Sequence, residues 1–257
     1  MPSPCRECSL RGACLPHLIG EQHDSHLERL VYARRKVGAG EALLHAGDAF
    51  GSLYAIFGGS FKGRAADGSG REQVTGFFMK SELLGLDGIG SGTHHVSALA
   101  LEESIVCAMP YRLIEEIGRE LPALQRGLHA ALSREIVREQ GMMLVLGALR
   151  AEERLAAFLL NLSRRFRRLG YSGSEYCLRM TREDIGSYLG LTTETVSRLF
   201  TGLHRAGVLD VRQRHLRLLE PDRLERLARG VSLADGAPQL TPDLRGLEGV
   251  RPDAGPG

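Results

Sequence analysis

The sequence predicts an α+β protein: an N-terminal β-roll of the jelly-roll kind, then a long helix, then a small helical unit with a β-wing. Three observations carry this. From about Val37 to Gly92, short runs such as SLYAIF and QVTGFF are punctuated by glycines, the texture of strands joined by tight turns. From Leu124 onward apolar residues recur every four positions, the spacing of one helical face. Beyond Met180, two short runs each begin on a threonine, a residue suited to capping a helix.

Composition narrows the setting. A chain of 257 residues, 43% hydrophobic and 25% charged, is ordinary for a soluble protein with room for one large or two modest domains. No run reaches the eighteen apolar residues of a membrane span, and the N-terminus lacks a charged start followed by an apolar stretch. The expectation is a cytoplasmic protein with no membrane partner. In that reducing compartment clustered cysteines point to metal binding or redox chemistry rather than structural disulfides. The net charge of +2 says little. Its distribution says more: Arg150–Arg229 holds 16 arginines and no lysine against 10 acidic residues. That excess suits a polyanionic partner, and equally a solvated surface.

Within the roll, DGSGREQ (Asp67 to Gln73) reads as an exposed hairpin tip. The helical pattern starts near Tyr111. A helix from Leu121 to Leu146 carries Leu124, Leu128, Leu132 and Ile136, continued by Met143 and Leu146. Glu135 and Glu139 fall on or near that stripe, where an intrachain core would tolerate them poorly. The face containing Leu132, Ile136, Glu139 and Met143 therefore reads as an interface with a second copy of the chain.

MTREDIGSYLGLTTETVSRLFTGLHRAGVLDV reads as two helices with a tight joint. Thr181 and Asp184 form a capping box, Gly190 ends the first helix, and Thr192 caps the second. There Val196, Leu199, Phe200 and Leu203 make an apolar face, while Glu194, Ser197 and Arg198 lie opposite with Thr193 beside them. This fits a helix-turn-helix whose second helix reads double-stranded DNA. Arg198 can donate a bidentate pair to guanine, and Glu194 can accept from a cytosine amino group. VLDV and HLRLLE suggest a wing with Arg212 and Arg214 at its tip. These two and Arg179 suit phosphates, which add affinity without sequence information.

Cys5, Cys8 and Cys14 open the chain as C-x2-C-x5-C, which lacks the second ligand pair of a closed zinc module. A redox pair, a zinc site completed by His17, His23 or His26, and a set completed by the distant Cys107 all remain open on spacing. Cys177 reads as packing. An oxygenase built on His45, His94 and His95 is disfavoured, because adjacent His94 and His95 point to opposite faces of a strand.

Taken in order, Cys5, Cys8, Cys14 and Cys107, together with KSELLGLDGIGSG, AEERLAAFLLNLSRRF and the E-x-x-S-R of Glu194, Ser197 and Arg198, resemble the FNR group of cyclic-AMP receptor-like transcription factors. The similarity runs from Cys5 to about Leu227. It implies a cyclic-nucleotide-binding-like sensory roll, a dimerisation helix and a winged helix-turn-helix. It also implies a [4Fe–4S] cluster on the four cysteines, oxygen-sensitive homodimerisation and recognition of TTGAT-type half-sites. Asp67, Gly68, Gly70 and Arg71 would then touch RNA polymerase. The Arg-Ser pair with which cyclic-AMP receptors hold phosphate is replaced by SGTHHVSALA, so no cyclic nucleotide is expected. The implied organisation is a cluster-binding segment at 1–26, the sensory roll at 27–115, the dimer helix at 116–147 and the DNA-binding unit at 148–229; residues 230–257, rich in glycine and proline and without periodicity, read as a disordered tail.

Overall fold

The structure, a computed structural model, describes Cys8, Cys14, Leu15, Leu30, Val31 and residues 33–228. Cys5, most of the expected cluster-binding segment and the expected tail lie outside the described residues.

Among the described residues eight strands build the roll: β1 (Ala33–Val37), β2 (Ala42–Leu44), β3 (Ser52–Gly58), β4 (Ser60–Ala66), β5 (Glu72–Met79), β6 (Leu83–Leu84), β7 (Ser97–Ala100) and β8 (Ser104–Pro110). They form two antiparallel sheets, ordered β1-β8-β3-β6 and β2-β7-β4-β5. Strand alternation decides which residues meet. Val106 and Ile56 point between the sheets, where they pack with Val37, Phe61 and Leu84. Their neighbours Cys107 and Ala55 point the other way, into a layer outside the first sheet.

Helices cover that outer layer. The helical region divides into α1 (Tyr111–Glu120) and α2 (Pro122–Ala148), with Pro122 in the first turn of α2. Proline fits that position because its missing N–H would have no intrahelical partner there. Ile114 and Ile117 of α1 and Leu124 and Leu128 of α2 pack with Cys107 and Met109. Farther along, Met142 and Val145 enter a different core, that of the C-terminal unit. The stripe expected to run straight from Leu124 to Leu146 thus splits. Leu124 and Leu128 are buried, whereas Ile136 is 57% and Met143 70% exposed.

The C-terminal unit contains α3 (Ala151–Arg168), β9 (Glu175–Cys177), α4 (Arg182–Leu189), α5 (Thr193–Arg205), β10 (Leu209–Arg212), β11 (His215–Leu218) and α6 (Pro221–Leu227). Leu155, Leu159 and Leu162 of α3 pack with Ile185, Phe200, Leu209 and Leu216. Each such fully buried side chain stabilises by about 1.5–3 kcal/mol. Tyr176 donates to the Leu159 carbonyl at 2.9 Å, so its buried hydroxyl is satisfied.

Roll and C-terminal unit share one core. Val74, Phe77 and Met79 of β5 belong to the cluster built around α3, and Phe77, Phe158 and Tyr188 form a triangle of ring contacts. Polar bonds surround it. Arg165 Nη2 lies 2.6 Å from Glu82 Oε2 and 2.7 Å from the Phe77 carbonyl, Val74 N donates to Ser187 Oγ at 2.8 Å, and Lys62 meets Asp184. No helix among the described residues is long and apolar enough to cross a membrane.

Candidate nucleic-acid interface and cysteine centre

Local chemistry fixes the α4–α5 pair. Thr181 Oγ1 accepts from Asp184 N at 3.0 Å, and Asp184 Oδ2 accepts from Thr181 N at 2.9 Å. This reciprocal box satisfies two of the orphan donors at the start of α4. Gly190 ends α4 in the left-handed region, with φ 63°, a conformation costly for most side chains. Thr192 Oγ1 then accepts from Thr195 N at 3.2 Å to start α5. Val196, Phe200 and Leu203 are buried, while Thr193, Glu194, Ser197 and Arg198 face solvent. Arg182 lies with its guanidinium carbon 3.2 Å from the Phe200 ring centroid, bracing one helix on the other.

The exposed residues are partly organised already. Arg198 Nη2 donates to Thr195 Oγ1 at 3.3 Å, and Ser197 Oγ donates to the Thr193 carbonyl at 2.8 Å. Glu194's carboxyl is held below its ordinary range by its own backbone N–H and the Thr192 hydroxyl, with Arg198 adding charge. It is an ionised acceptor at neutral pH. The wing is present: β10 pairs β11 and β11 pairs β9, with Gln213 and Arg214 in the turn and Arg212 just before it. Arg212 leans on Asp210 at 3.3 Å. Arg179, expected beside phosphates, pairs with Glu102 of the roll at 3.0 Å.

The hairpin tip organises itself. Asp67 Oδ1 accepts from Ser69 N, Ser69 Oγ and Arg71 N, and Oδ2 from Arg71 Nε. The Ser69 hydroxyl and the Arg71 donors lower the Asp67 carboxyl to about 2. Gly68, Gly70 and Arg71 are exposed.

Along α2, Val137 and Leu144 join Ile136 and Met143 as exposed apolar side chains, whereas Leu132 is half-buried beside the cysteine layer. Glu139 lies 3.8 Å from Arg138, which also pairs with Glu135 and lies over the Phe78 ring. At Gly76 a Cβ would meet the Arg138 guanidinium at 3.2 Å, so glycine leaves that side chain room.

Three of the four expected cysteines are described, and all three are buried in one layer: Cys8, Cys14 and Cys107. Cys8 and Cys107 carry free thiols. Burial pushes the Cys107 thiol up. Against that, the Arg34 guanidinium hydrogen-bonds the sulfur and draws it down, while nearby Cys8 pushes the same way as burial. Among the described residues no group of three or more His, Cys, Asp or Glu is placed to hold a single metal ion. The donor set is purely sulfur, buried and close to a cation, which fits an iron–sulfur cluster, where each thiolate takes a separate iron.

In the segment between β6 and β7, Asp87 Oδ2 accepts from His95 N at 2.7 Å and Val96 N at 3.1 Å. Buried His94 lies 3.4 Å from Asp87 Oδ1 and edge-on to Phe50. A carboxylate already fills these backbone donors.

A sensory roll joined by a long helix to a winged helix-turn-helix defines a DNA-binding transcription regulator. Similarity to known proteins makes that specific. Residues 34–120 match a cyclic nucleotide-binding domain and residues 153–227 a Crp-like helix-turn-helix domain. The chain is 43% identical to the transcriptional regulatory protein btr of Bordetella pertussis, over 87% of its own length and 92% of that protein's. It is 41% identical to the fumarate and nitrate reduction regulatory protein of Escherichia coli K12, covering 87% and 90%. Among solved structures, FixK2 from Bradyrhizobium japonicum superposes with a TM-score of 0.69 at 29% identity, covering 76% of this chain and 96% of that one. The chain belongs to the CRP/FNR family of transcription regulators, which are not enzymes.

Proposed function

We propose that this chain is an oxygen-responsive regulator in which Cys5, Cys8, Cys14 and Cys107 hold a [4Fe–4S] cluster. With the cluster intact, two copies pair through α2 and read TTGAT-type palindromic sites to control genes of anaerobic and microaerobic metabolism. The observation that carries this reading is the shared layer of Cys8, Cys14 and Cys107 with Leu124 and Leu128 of α2. When bound, the cluster supplies an oxygen-labile cross-link between the N-terminal segment and β8. Every other step belongs to the chain. Cys107 anchors the link on a strand, and the first turns of α2 pack on that anchor. Ile136, Val137, Met143 and Leu144 of the same helix offer apolar surface for a second copy. The last turns of α2 enter the core that carries α5, so one rigid element touches cysteines, partner and DNA reader.

On DNA, Arg198, Ser197, Glu194 and Thr193 face base edges, while Arg212 and Arg214 hold phosphates. Arg179 joins them once released from Glu102. The tip Asp67, Gly68, Gly70 and Arg71 keeps one shape for RNA polymerase through the Asp67 hydrogen bonds. A nucleotide phosphate would meet the Asp87 carboxylate where its donors should stand, which supports regulation without cyclic nucleotide. The setting is the cytoplasm.

The test is purification without oxygen, assay of iron and sulfide, and admission of air while the visible spectrum and DNA binding are followed. Roughly four irons and four sulfides per chain are expected, with DNA affinity falling as the colour bleaches. A colourless, iron-free protein whose DNA binding ignores air would instead leave a small-ligand-gated regulator of the same architecture.

A further inference from the structure

Arg34 and Arg35 are consecutive on β1 but point to opposite faces. Arg35 reaches Glu41 at 3.5 Å. Arg34 stands directly opposite Cys107 in the antiparallel register of β1 and β8, so their side chains lie next to each other on one face. Its guanidinium carbon is 4.1 Å from the centroid of the Phe57 ring, and Phe57 itself packs against the cysteine layer. A flexible cation is thereby laid over the sulfur-bearing face while remaining in contact with water.

We propose that Arg34 is a positioning residue for the cluster: it donates a hydrogen bond to the Cys107 sulfur and sets the cluster's retention and reduction potential. This rests on the reading of the four cysteines as cluster ligands. Four thiolates around a [4Fe–4S] core of charge two-plus leave a net charge of about −2, and potentials of such clusters respond to hydrogen bonds at sulfur and to nearby charge. Arg34 is exposed, so its influence through water is screened and contact with sulfur carries the effect. Removing it makes the one-electron reduced state harder to reach and the Cys107–iron bond easier to lose.

Arg34→Met, Arg34→Lys and Arg35→Met separate this role from a general loss of charge. Each protein is purified without oxygen as the full chain. Iron and sulfide are assayed, loss of colour to a ferrous-iron chelator is timed, and the reduction midpoint is measured by anaerobic titration. Arg34→Met is expected to surrender its iron roughly tenfold faster, the lower end of the effect of removing an outer-shell partner, and to show a more negative midpoint. Arg34→Lys recovers part of both, and Arg35→Met, which loses the same charge from the opposite face, matches the wild type. Equal behaviour of Arg34→Met and Arg35→Met, or a cluster in Arg34→Met that is indistinguishable from wild type, overturns the proposal. If Arg34→Met does not fold, an Arg34→Lys protein with wild-type midpoint and chelation rate overturns it equally. Wild-type protein without iron or sulfide is a different result: it removes the cluster reading itself.

Discussion

Lys62 Nζ lies 2.5 Å from Asp184 Oδ1, across 122 residues of chain. The bond ties a strand of the roll to the first helix of the DNA-reading pair. Asp184 is used twice, since the same carboxylate closes the capping box with Thr181. Both partners are largely removed from water, with side chains 21% and 9% exposed, so the contact is worth more than a surface ion pair. Lys62→Met keeps the aliphatic stem and removes the donor. It should lower stability by about 1–2 kcal/mol in urea unfolding, with the C-terminal unit becoming more accessible to protease. Unchanged urea midpoint and cleavage pattern would show that the apolar triangle of Phe77, Phe158 and Tyr188 holds the units together alone.

The same pair predicts an acid dependence with a definite sign. Burial alone pushes the Asp184 carboxyl up, but Lys62 and the Thr181 donors together outweigh it and hold the group below the usual aspartate range. A depressed folded-state value means that its stabilisation is complete above the unfolded aspartate value of about 3.9 and disappears as pH falls through the folded value. The stability gap between wild type and Lys62→Met is therefore widest near neutral pH and closes in acid. A gap that stays constant down to pH values below the usual aspartate range would mean that Lys62 acts independently of the Asp184 charge.

Features set by residues close together in the chain are legible from the sequence alone. The Thr181–Asp184 box, Gly190, the Thr192 cap and the buried triad Val196, Phe200 and Leu203 follow from spacing. The β-roll follows from glycine punctuation. Contacts across long separations leave no such trace: nothing periodic pairs Glu82 with Arg165, Lys62 with Asp184 or Arg179 with Glu102. The stripe on α2 shows the limit well. Leu128 and Ile136 fall on the same simple four-residue repeat, yet the first is buried and the second 57% exposed. A helix turning 3.6 residues per turn drifts away from a four-residue repeat, and the sequence does not say where the roll beneath it ends.

At the exposed part of α2, charge sits among apolar residues. Ile136, Val137, Met143 and Leu144 are open, and Glu139, 46% exposed beside them, shares Arg138 with Glu135. If two copies pair through this face, each Glu139 approaches its twin and weakens the dimer. Glu139→Ala should then favour the dimer in air by about 1 kcal/mol, the upper range for an accessible charge pair, or roughly fivefold in dissociation constant. Ile136→Glu should abolish pairing. Sedimentation decides it, in air for Glu139→Ala and without oxygen for Ile136→Glu, and a Glu139→Ala protein as monomeric as the wild type would remove Glu139 from the interface.

The reading helix makes the most specific prediction. Arg198 is exposed and steadied by Thr195, while Glu194 is ionised near the start of the same helix. An arginine so placed can address guanine O6 and N7 with two parallel bonds. Arg198→Ala should cost about 1–3 kcal/mol of discrimination at one guanine, leaving affinity for unrelated sequences nearly as before. Arg214→Ala, at the wing turn, should weaken binding to all sequences alike and reduce the slope of affinity against salt by about one phosphate contact. Binding titrations on a cognate site and on single-base variants at two salt concentrations distinguish the two. Uniform loss for Arg198→Ala would make it a phosphate ligand and shift base reading to Glu194, Ser197 and Thr193.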